Sequence, residues 1–267
     1  MNIKEIVKKY IELGNNLRNA QNLAAEEIIL NKIASSELSQ CVTLKGGIVM
    51  YNLTKSNRRV TQDIDFDLIK YSIDEKSIRL FVNRLSKQND GITASMIGSI
   101  EKLHQEDYNG VRVRLLLKDT YGESLKIKLD IGVHTYLSIE QEKTVFSFQS
   151  GSETLSLMVN PCEQIFAEKL LSIARLGILT TRYKDIYDLY YLIKNNHLSI
   201  DKVRTILELF FAGSKRKPND MADLKDAIKR ALNNKIFMVD VDKPTYRWLD
   251  DSIDNIKDTI IDFIDRL

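Results

Sequence analysis

The sequence contains little cysteine and little histidine, and it has no long apolar segment. Its two cysteines, Cys41 and Cys162, lie among apolar residues, which favours buried thiols in a reducing cytoplasm over a disulfide. The three histidines, at positions 104, 134 and 197, show no metal-ligand spacing, and so few of them argue against a histidine-based catalytic triad. No apolar run approaches membrane-spanning length, and the charged, amphipathic first residues do not resemble a signal peptide.

The charges of the chain are nearly balanced. Lys and Arg number 39 against 37 Asp and Glu, a net charge of +2, so charge neither requires nor excludes a nucleic-acid partner, and any basic patch must be local. Hydrophobic residues make up 43% of the 267 residues, enough for a packed core in one large domain or two modest ones. We therefore expect a cytoplasmic protein without a membrane segment.

Three aspartates alternate with apolar residues in one short stretch, which reads Asp63, Ile64, Asp65, Phe66, Asp67, Leu68. This alternation predicts a half-buried strand, with the apolar side chains in a core and the carboxylates on the other face. Carboxylates roughly 6.5–7 Å apart on one strand face repel each other unless cations lie between them, and such oxygen clusters suit Mg²⁺. Alternation alone leaves a solvated face of an antiparallel sheet as the alternative.

A glycine pair, Gly46-Gly47, precedes this stretch at the junction between a predicted strand (42–44) and a predicted helix (48–53). Glycines let the backbone approach a ligand closely, and a helix N-terminus offers N–H groups to a phosphate. A glycine pair by itself would mark only a turn. A glycine pair, a short helix and then a carboxylate strand together predict a nucleotide site.

A fourth acid, Asp130, lies on the polar face of the predicted strand 125–131, beside Lys126 and Lys128. If this strand neighbours the aspartate strand, Asp130 joins the same cluster. The alternative is a surface aspartate that balances the two lysines. Further strands are predicted at 92–97 and 111–117.

The rest of the chain is predicted to be helical. Apolar residues recur at helical spacing over 2–36 and 74–87. A linker is predicted at 149–160. After it, helices are predicted at 161–176, from about 181, and at 200–211, 220–232 and 250–267. Lys169 stands within the apolar stripe of helix 161–176, so it must either snorkel outward or be held by an anion. In the following helix Arg182, Asp185 and Asp188 recur at three-residue steps, a spacing that by itself indicates routine salt bridges.

These residues resemble the AbiEii/AbiGii-type toxin family within the DNA polymerase β-like nucleotidyltransferases. The first block of the resemblance is Lys45-Gly46-Gly47, Arg58 or Arg59, Thr61, Asp63, Ile64 and Asp65. The second block is Ala167-Glu168-Lys169-Leu170, then Arg182, Lys184, Asp185 and Asp188. Both appear in the family's order. The departures are Gly47 and Thr61, where serine is frequent in the family.

The resemblance implies an α+β fold: a polymerase β-like mixed sheet flanked by helices, followed by an all-helical C-terminal half. It implies a nucleotidyltransferase domain over 1–150, with the N-terminal helices, and a helical domain over 155–267 that completes the active-site cleft. Lys169 and Asp185 are expected to point into the same cleft as the carboxylates of the sheet.

The resemblance also implies roles for individual residues. The residues expected to hold Mg²⁺, or Mn²⁺ in its place, are Asp63, Asp65 and Asp130. Those expected to bind the nucleotide are Gly46, Gly47, Arg59, Thr61 and Lys169. Asp130 or Asp185 would deprotonate the acceptor hydroxyl or bind a second metal ion, and the catalytic set is Asp63, Asp65, Asp130, Lys169 and Asp185. Asp188 is expected to be structural, bonded to Arg182 or to a helix terminus.

The activity that follows is metal-dependent transfer of a nucleoside monophosphate from an NTP to an acceptor hydroxyl. The resemblance implies an RNA acceptor, the 3′ end of tRNA, and the toxin of a toxin–antitoxin phage-defence system with a cognate antitoxin. Two alternatives stay open: a small-molecule nucleotidyltransferase of the antibiotic-modifying kind, and a non-enzymatic interaction protein on a decayed nucleotidyltransferase scaffold. The second block argues against the former, and the presence of all the acids argues against the latter.

Overall fold

The computed structural model of the protein describes residues 2–105, 108–151 and 153–267. The chain divides into two units, Met1–Asn160 and Pro161–Leu267. No helix of the described residues is both long and apolar enough to cross a membrane.

The first unit contains four α-helices and seven strands among its described residues. The helices are α1 (Ile3–Glu12), α2 (Leu17–Ala34), α3 (Gly46–Thr54) and α4 (Glu75–Ser86). The strands are β1 (Val42–Lys45), β2 (Asp63–Leu68), β3 (Ile92–Gln105), β4 (Tyr108–Asp119), β5 (Ser124–Val133), β6 (Glu142–Phe146) and β7 (Leu155–Val159). They form one mixed sheet in the order β3-β4-β5-β2-β1-β7-β6, in which β2 is parallel to β5 and β1 is parallel to β7.

The core of this unit lies between the apolar face of the sheet and the helices α2 and α4. Ile64, Phe66 and Leu68 of β2 are fully buried there, as their alternation with the aspartates predicts. Phe66 packs against Phe81 of α4, with ring centroids 5.5 Å apart. The aspartates of β2 therefore lie on the opposite face of the sheet.

The second unit consists of helices in its described residues. These are α5 (Cys162–Leu176), α6 (Tyr183–Lys194), α7 (Ile200–Gly213), α8 (Met221–Leu232), α9 (Lys235–Val241) and α10 (Ile253–Asp265). Phe166 of α5 meets Phe263 of α10 edge to face, with centroids 5.1 Å apart. A mixed sheet flanked by helices and followed by an all-helical half confirms the predicted α+β class.

The observed elements differ from the sequence expectation in several places. Strand β6 (Glu142–Phe146) was not predicted. The segment predicted as a linker contains β7, which pairs with β1 through Thr43 and Met158; Ser152 of that segment lies outside the described residues. The first unit therefore reaches Asn160 rather than ending at 150. In the second unit α9 was not predicted, because seven residues are too few to show helical periodicity.

Candidate active site

The first part of the candidate site is the glycine pair at the start of α3. Gly46 has φ +64°, and a Cβ on it would lie 2.8 Å from Oδ2 of Asp65. A Cβ on Gly47 would lie 2.8 Å from Oγ1 of Thr61 and 3.4 Å from Nη1 of Arg59. Both positions thus require glycine for contacts within the protein, as well as for any approach of a ligand. Lys45, the N-cap residue of α3, makes no capping hydrogen bond with its side chain.

The register of the sheet places charged residues in a row beside this turn. Asp65 of β2 lies opposite Lys45 of β1 on one side and Asp130 of β5 on the other. Asp130 in turn lies opposite Arg112 of β4. The row therefore holds two adjacent acidic residues between two basic residues. The strand of Asp130 is a direct neighbour of the aspartate strand, as the sequence predicted.

The three aspartates of β2 occupy different environments. Asp67 is buried and pairs with Lys45, whose Nζ lies 2.7 Å from Oδ1. Asp63 is partly exposed and lies 2.6 Å from Nζ of Lys128. Asp65 is also half-buried. Asp67 is thus held in the sheet as part of a buried ion pair, whereas Asp63 and Asp65 are reachable from solvent.

Asp130 forms a two-pronged pair with Arg112. Nε donates to Oδ1 at 2.7 Å, and Nη2 donates to Oδ2 at 2.6 Å. The alternative in which Asp130 balances Lys126 and Lys128 is therefore not the observed pairing, since Lys128 contacts Asp63 instead. The sequence could not identify Arg112 as the partner, because the pairing depends on the register of β4 against β5.

Asp63 and Asp65 have the chemistry of a divalent-cation site. Mg²⁺ prefers oxygen ligands and is commonly bound by one or two carboxylates together with substrate phosphates and water. The two carboxylates share one strand face, and Oδ2 of Asp65 packs against Gly46 at the start of α3. Within the described residues no three acidic, histidine or cysteine side chains are gathered into a metal-binding group. The residues thus fit a two-carboxylate site, and Asp130 is held by Arg112.

Sequence reasoning missed Glu26, a buried acid on α2. Burial raises the pKa of Glu26 well above its usual range, Asp63 raises it further, and Arg59 lowers it. Its Oε1 has no hydrogen-bond partner among the described residues, and it lines a small cavity beside Tyr51. The signal that could have found it is an acidic pair, Glu26 and Glu27, inside an otherwise apolar helical run.

In the second unit, Lys169 of α5 lies between two aspartates of α6. Its ammonium contacts Oδ1 of Asp185 and lies 2.8 Å from Oδ2 of Asp188. Lys169 is 7% exposed and Asp188 is fully buried. The lysine is therefore held by anions and does not snorkel. The Oδ2 atom of Asp185 is buried and has no hydrogen-bond partner among the described residues.

The structure gives Asp188 a partner that was not expected from the sequence. Asp188 is fully buried and pairs with Lys169, which agrees with a structural role. Arg182 is the N-cap of α6. Asp185 and Asp188, three residues apart on α6, both face Lys169 of α5.

Comparison with known proteins gives one family. A family model described as "Nucleotidyl transferase AbiEii toxin, Type IV TA system" matches residues 28–252, a span that includes both blocks. No curated protein matches the chain. Among the matching solved structures is an antigenic nucleotidyltransferase-like protein from Paracoccidioides brasiliensis, 18% identical, with 74% of this chain and 92% of that chain covered and a TM-score of 0.39. Similarity at that level supports no argument about fold or function.

Proposed function

Because the chain belongs to the AbiEii nucleotidyl transferase toxin family of type IV toxin–antitoxin systems, we propose that it transfers a nucleoside monophosphate from an NTP to an RNA hydroxyl. The acceptor we propose is the 3′ end of tRNA, and the biological setting is phage defence. Family membership itself implies nucleotidyltransferase activity, an NTP substrate and an antitoxin partner.

The observation that carries the proposal is the contact between the glycine turn and the carboxylate strand. The N-terminus of α3 begins where Gly46 lies against Asp65. Backbone N–H groups at such a helix start donate hydrogen bonds to phosphate oxygens. The N–H groups that would donate to phosphate and the carboxylates that would hold a cation are therefore adjacent, and this adjacency supports phosphoryl chemistry on a nucleotide.

In this reaction a bond forms between the acceptor oxygen and the α-phosphorus, the bond from the α-phosphorus to the bridging oxygen breaks, and pyrophosphate leaves. Asp63 and Asp65 would hold a divalent cation, Mg²⁺ or Mn²⁺, which when bound neutralises phosphate charge. Gly46, Gly47, Arg59 and Thr61 lie together and would hold the phosphates. The proton of the acceptor hydroxyl passes to a carboxylate, Asp130 or Asp185.

The second unit contributes to the proposal through its motif. Lys169 is proposed to contact the nucleotide phosphates, and Asp185 to act as a catalytic or positioning carboxylate. The buried Oδ2 of Asp185 has no hydrogen-bond partner among the described residues, so it can accept a further hydrogen bond. That both blocks act on one nucleotide is part of this proposal.

The test is to incubate the purified protein with total RNA and each α-labelled NTP, with Mg²⁺ or with a chelator. We expect Mg²⁺-dependent label in RNA of tRNA size, lost when the RNA 3′ ends are first blocked by periodate oxidation. The matched control is Asp65→Asn, which keeps the shape of the side chain and should lose at least about 100-fold of the activity.

Other outcomes decide among the alternatives. Label that enters small molecules and not RNA would favour the antibiotic-modifying kind of enzyme. A folded protein that labels nothing with any NTP would contradict the proposal. Label in internal positions of RNA, or in RNA other than tRNA, would retain the transferase activity and reject the proposed acceptor.

A further inference from the structure

Two basic side chains on the polar face of the sheet contact carboxylates in different ways. Arg112 donates two aligned hydrogen bonds to Asp130, of 2.7 and 2.6 Å. Lys128 lies 2.6 Å from Oδ1 of Asp63, yet that oxygen accepts no well-aligned hydrogen bond from the described residues. The first pair is directional, whereas the second is a contact between point charges.

The two ion pairs also differ in how easily the basic side chain can be replaced by another cation. A guanidinium fork is preorganised for a carboxylate, whereas a lysine ammonium is a compact charge on a flexible stem. The Lys128 side chain is 37% exposed and that of Asp63 is 28% exposed. The contacted Oδ1 is itself buried, so the exposed part of Asp63 lies elsewhere on the side chain. Ion pairs that solvent reaches contribute about 0–1 kcal/mol, and a divalent cation carries twice the charge of the ammonium that it would displace.

The position of Lys128 puts it beside the proposed phosphate site. It lies directly opposite Asp63 in the parallel pairing of β2 and β5. Asp65, against which Gly46 packs, is the next residue on the same strand face, about 7 Å away. The start of α3 follows Lys45, which lies opposite Asp65 in the pairing of β1 with β2.

We propose that Lys128 is an exchangeable cation of the site: it neutralises Asp63 before substrate binds and contacts the NTP phosphates once a divalent cation takes Asp63. The inference rests on the proposed function. The ammonium and the divalent cation compete for the same carboxylate, so one must leave as the other binds. The released charge then lies beside a polyanion, which it attracts.

This exchange predicts two opposite effects of removing the lysine. In Lys128→Met the competitor for Asp63 is gone, so Mn²⁺ without nucleotide should bind about two- to fivefold more tightly, the range expected for a partly exposed pair. The phosphates lose a charged donor, so NTP should bind about tenfold more weakly. A side chain that only stabilises the sheet would not shift two affinities in opposite directions.

The first measurement is Mn²⁺ binding to the full chain by electron paramagnetic resonance, without nucleotide. The second is calorimetric binding of α,β-methylene analogues of the four NTPs at saturating Mg²⁺, since these analogues cannot release pyrophosphate. The matched control is Lys126→Met, because Lys126 is exposed two residues away on the same strand face; it should change neither affinity. Lys128→Arg, which keeps the charge, should bind NTP nearly as tightly as the wild type.

The possible results distinguish failure of the proposed role of Lys128 from failure of the proposed nucleotidyl transfer. The wild-type protein could bind Mn²⁺ and an NTP analogue, and Lys128→Met could bind both with the same affinities. That result overturns the role of Lys128 and leaves the proposed function intact. Affinities that both rise or both fall also overturn it. Wild-type protein that binds neither probe would contradict the proposed function and the inference with it.

Discussion

Lys45 and Asp67 form a buried ion pair between neighbouring strands, with Nζ 2.7 Å from Oδ1. Replacing one member of a buried pair strongly destabilises a protein, because the other charge stays in a poorly solvated place. We expect Asp67→Asn to lower the free energy of unfolding by about 3 kcal/mol. Asp63→Asn, on the same strand in a partly exposed pair, should change it by at most about 1 kcal/mol. Urea unfolding measures both, and equal losses would contradict the distinction.

The contact of Gly46 with Asp65 predicts a loss of both stability and activity in Gly46→Ala. The new methyl group would lie 2.8 Å from Oδ2 of Asp65, at a backbone φ of +64°. Positive φ alone costs about 1–2 kcal/mol for a residue with a side chain, and displacement of Asp65 should also reduce nucleotide transfer. Gly122→Ala is the matched control, with φ +93° and nothing within 4 Å. It should lose stability and retain full transfer activity; an active Gly46→Ala would contradict the proposed site.

The buried position of Lys169 predicts that Lys169→Met is unstable, although methionine preserves the apolar stem. Removal of the ammonium leaves Asp185 and Asp188 as neighbouring buried carboxylates. The expected cost is about 3–5 kcal/mol of unfolding free energy, measured by urea denaturation. A variant as stable as the wild type would show that the observed ion pairs contribute little.

Asp185→Asn separates function from stability in the same cluster. Lys169 keeps its contact with Asp188, so the loss of stability should be smaller than in Lys169→Met. If Asp185 is a catalytic or positioning carboxylate, transfer at a temperature where the variant is folded should fall about 100-fold or more. Unchanged transfer by the folded variant would leave Asp185 with a structural role.

The raised pKa of Glu26 predicts a pH dependence of stability. The folded protein retains a proton on Glu26 at pH values where the unfolded chain, with a pKa of about 4.3, has lost it. Between the two pKa values the unfolded state binds fewer protons, so this group's contribution to stability falls as pH rises. Glu26→Gln mimics the protonated acid and should match the wild type near pH 4 and exceed it near pH 8.

Thermal unfolding from about pH 4 to pH 9 measures this difference, and Glu75→Gln, at an exposed site, is the control. Glu26→Gln that is less stable than the wild type near pH 8 would show that Glu26 is ionised and that its attraction to Arg59 dominates.

Family membership predicts that expression of this chain without its antitoxin slows bacterial growth. Asp63→Ala should relieve the effect, because Asp63 is proposed to hold the divalent cation. Asp258→Ala, at an exposed site on α10, is the control and should stay toxic at the same protein level. Growth curves with matched immunoblots check this; harmless expression of active wild-type protein would count against toxicity through transfer.

Local pattern was enough to predict several elements and the residue types of the site. The alternation in β2 and β5 predicted which apolar side chains are buried, because strand periodicity depends only on neighbouring residues. The apolar spacing over 74–87 predicted α4, for which the structure shows Asp74 as the N-cap. The glycine pair and the carboxylates of β2 could be placed beside each other because only the short α3 and a loop separate them.

Only the tertiary structure decided which acidic side chain pairs with which basic side chain. Asp130 pairs with Arg112 and Lys128 with Asp63, and both choices follow from strand register, which no local pattern specifies. The environment of Lys169 depends on how α5 packs against α6. A buried charge requires a partner, and the sequence shows this need. The identity of the partner is decided only when strands and helices distant in sequence come together.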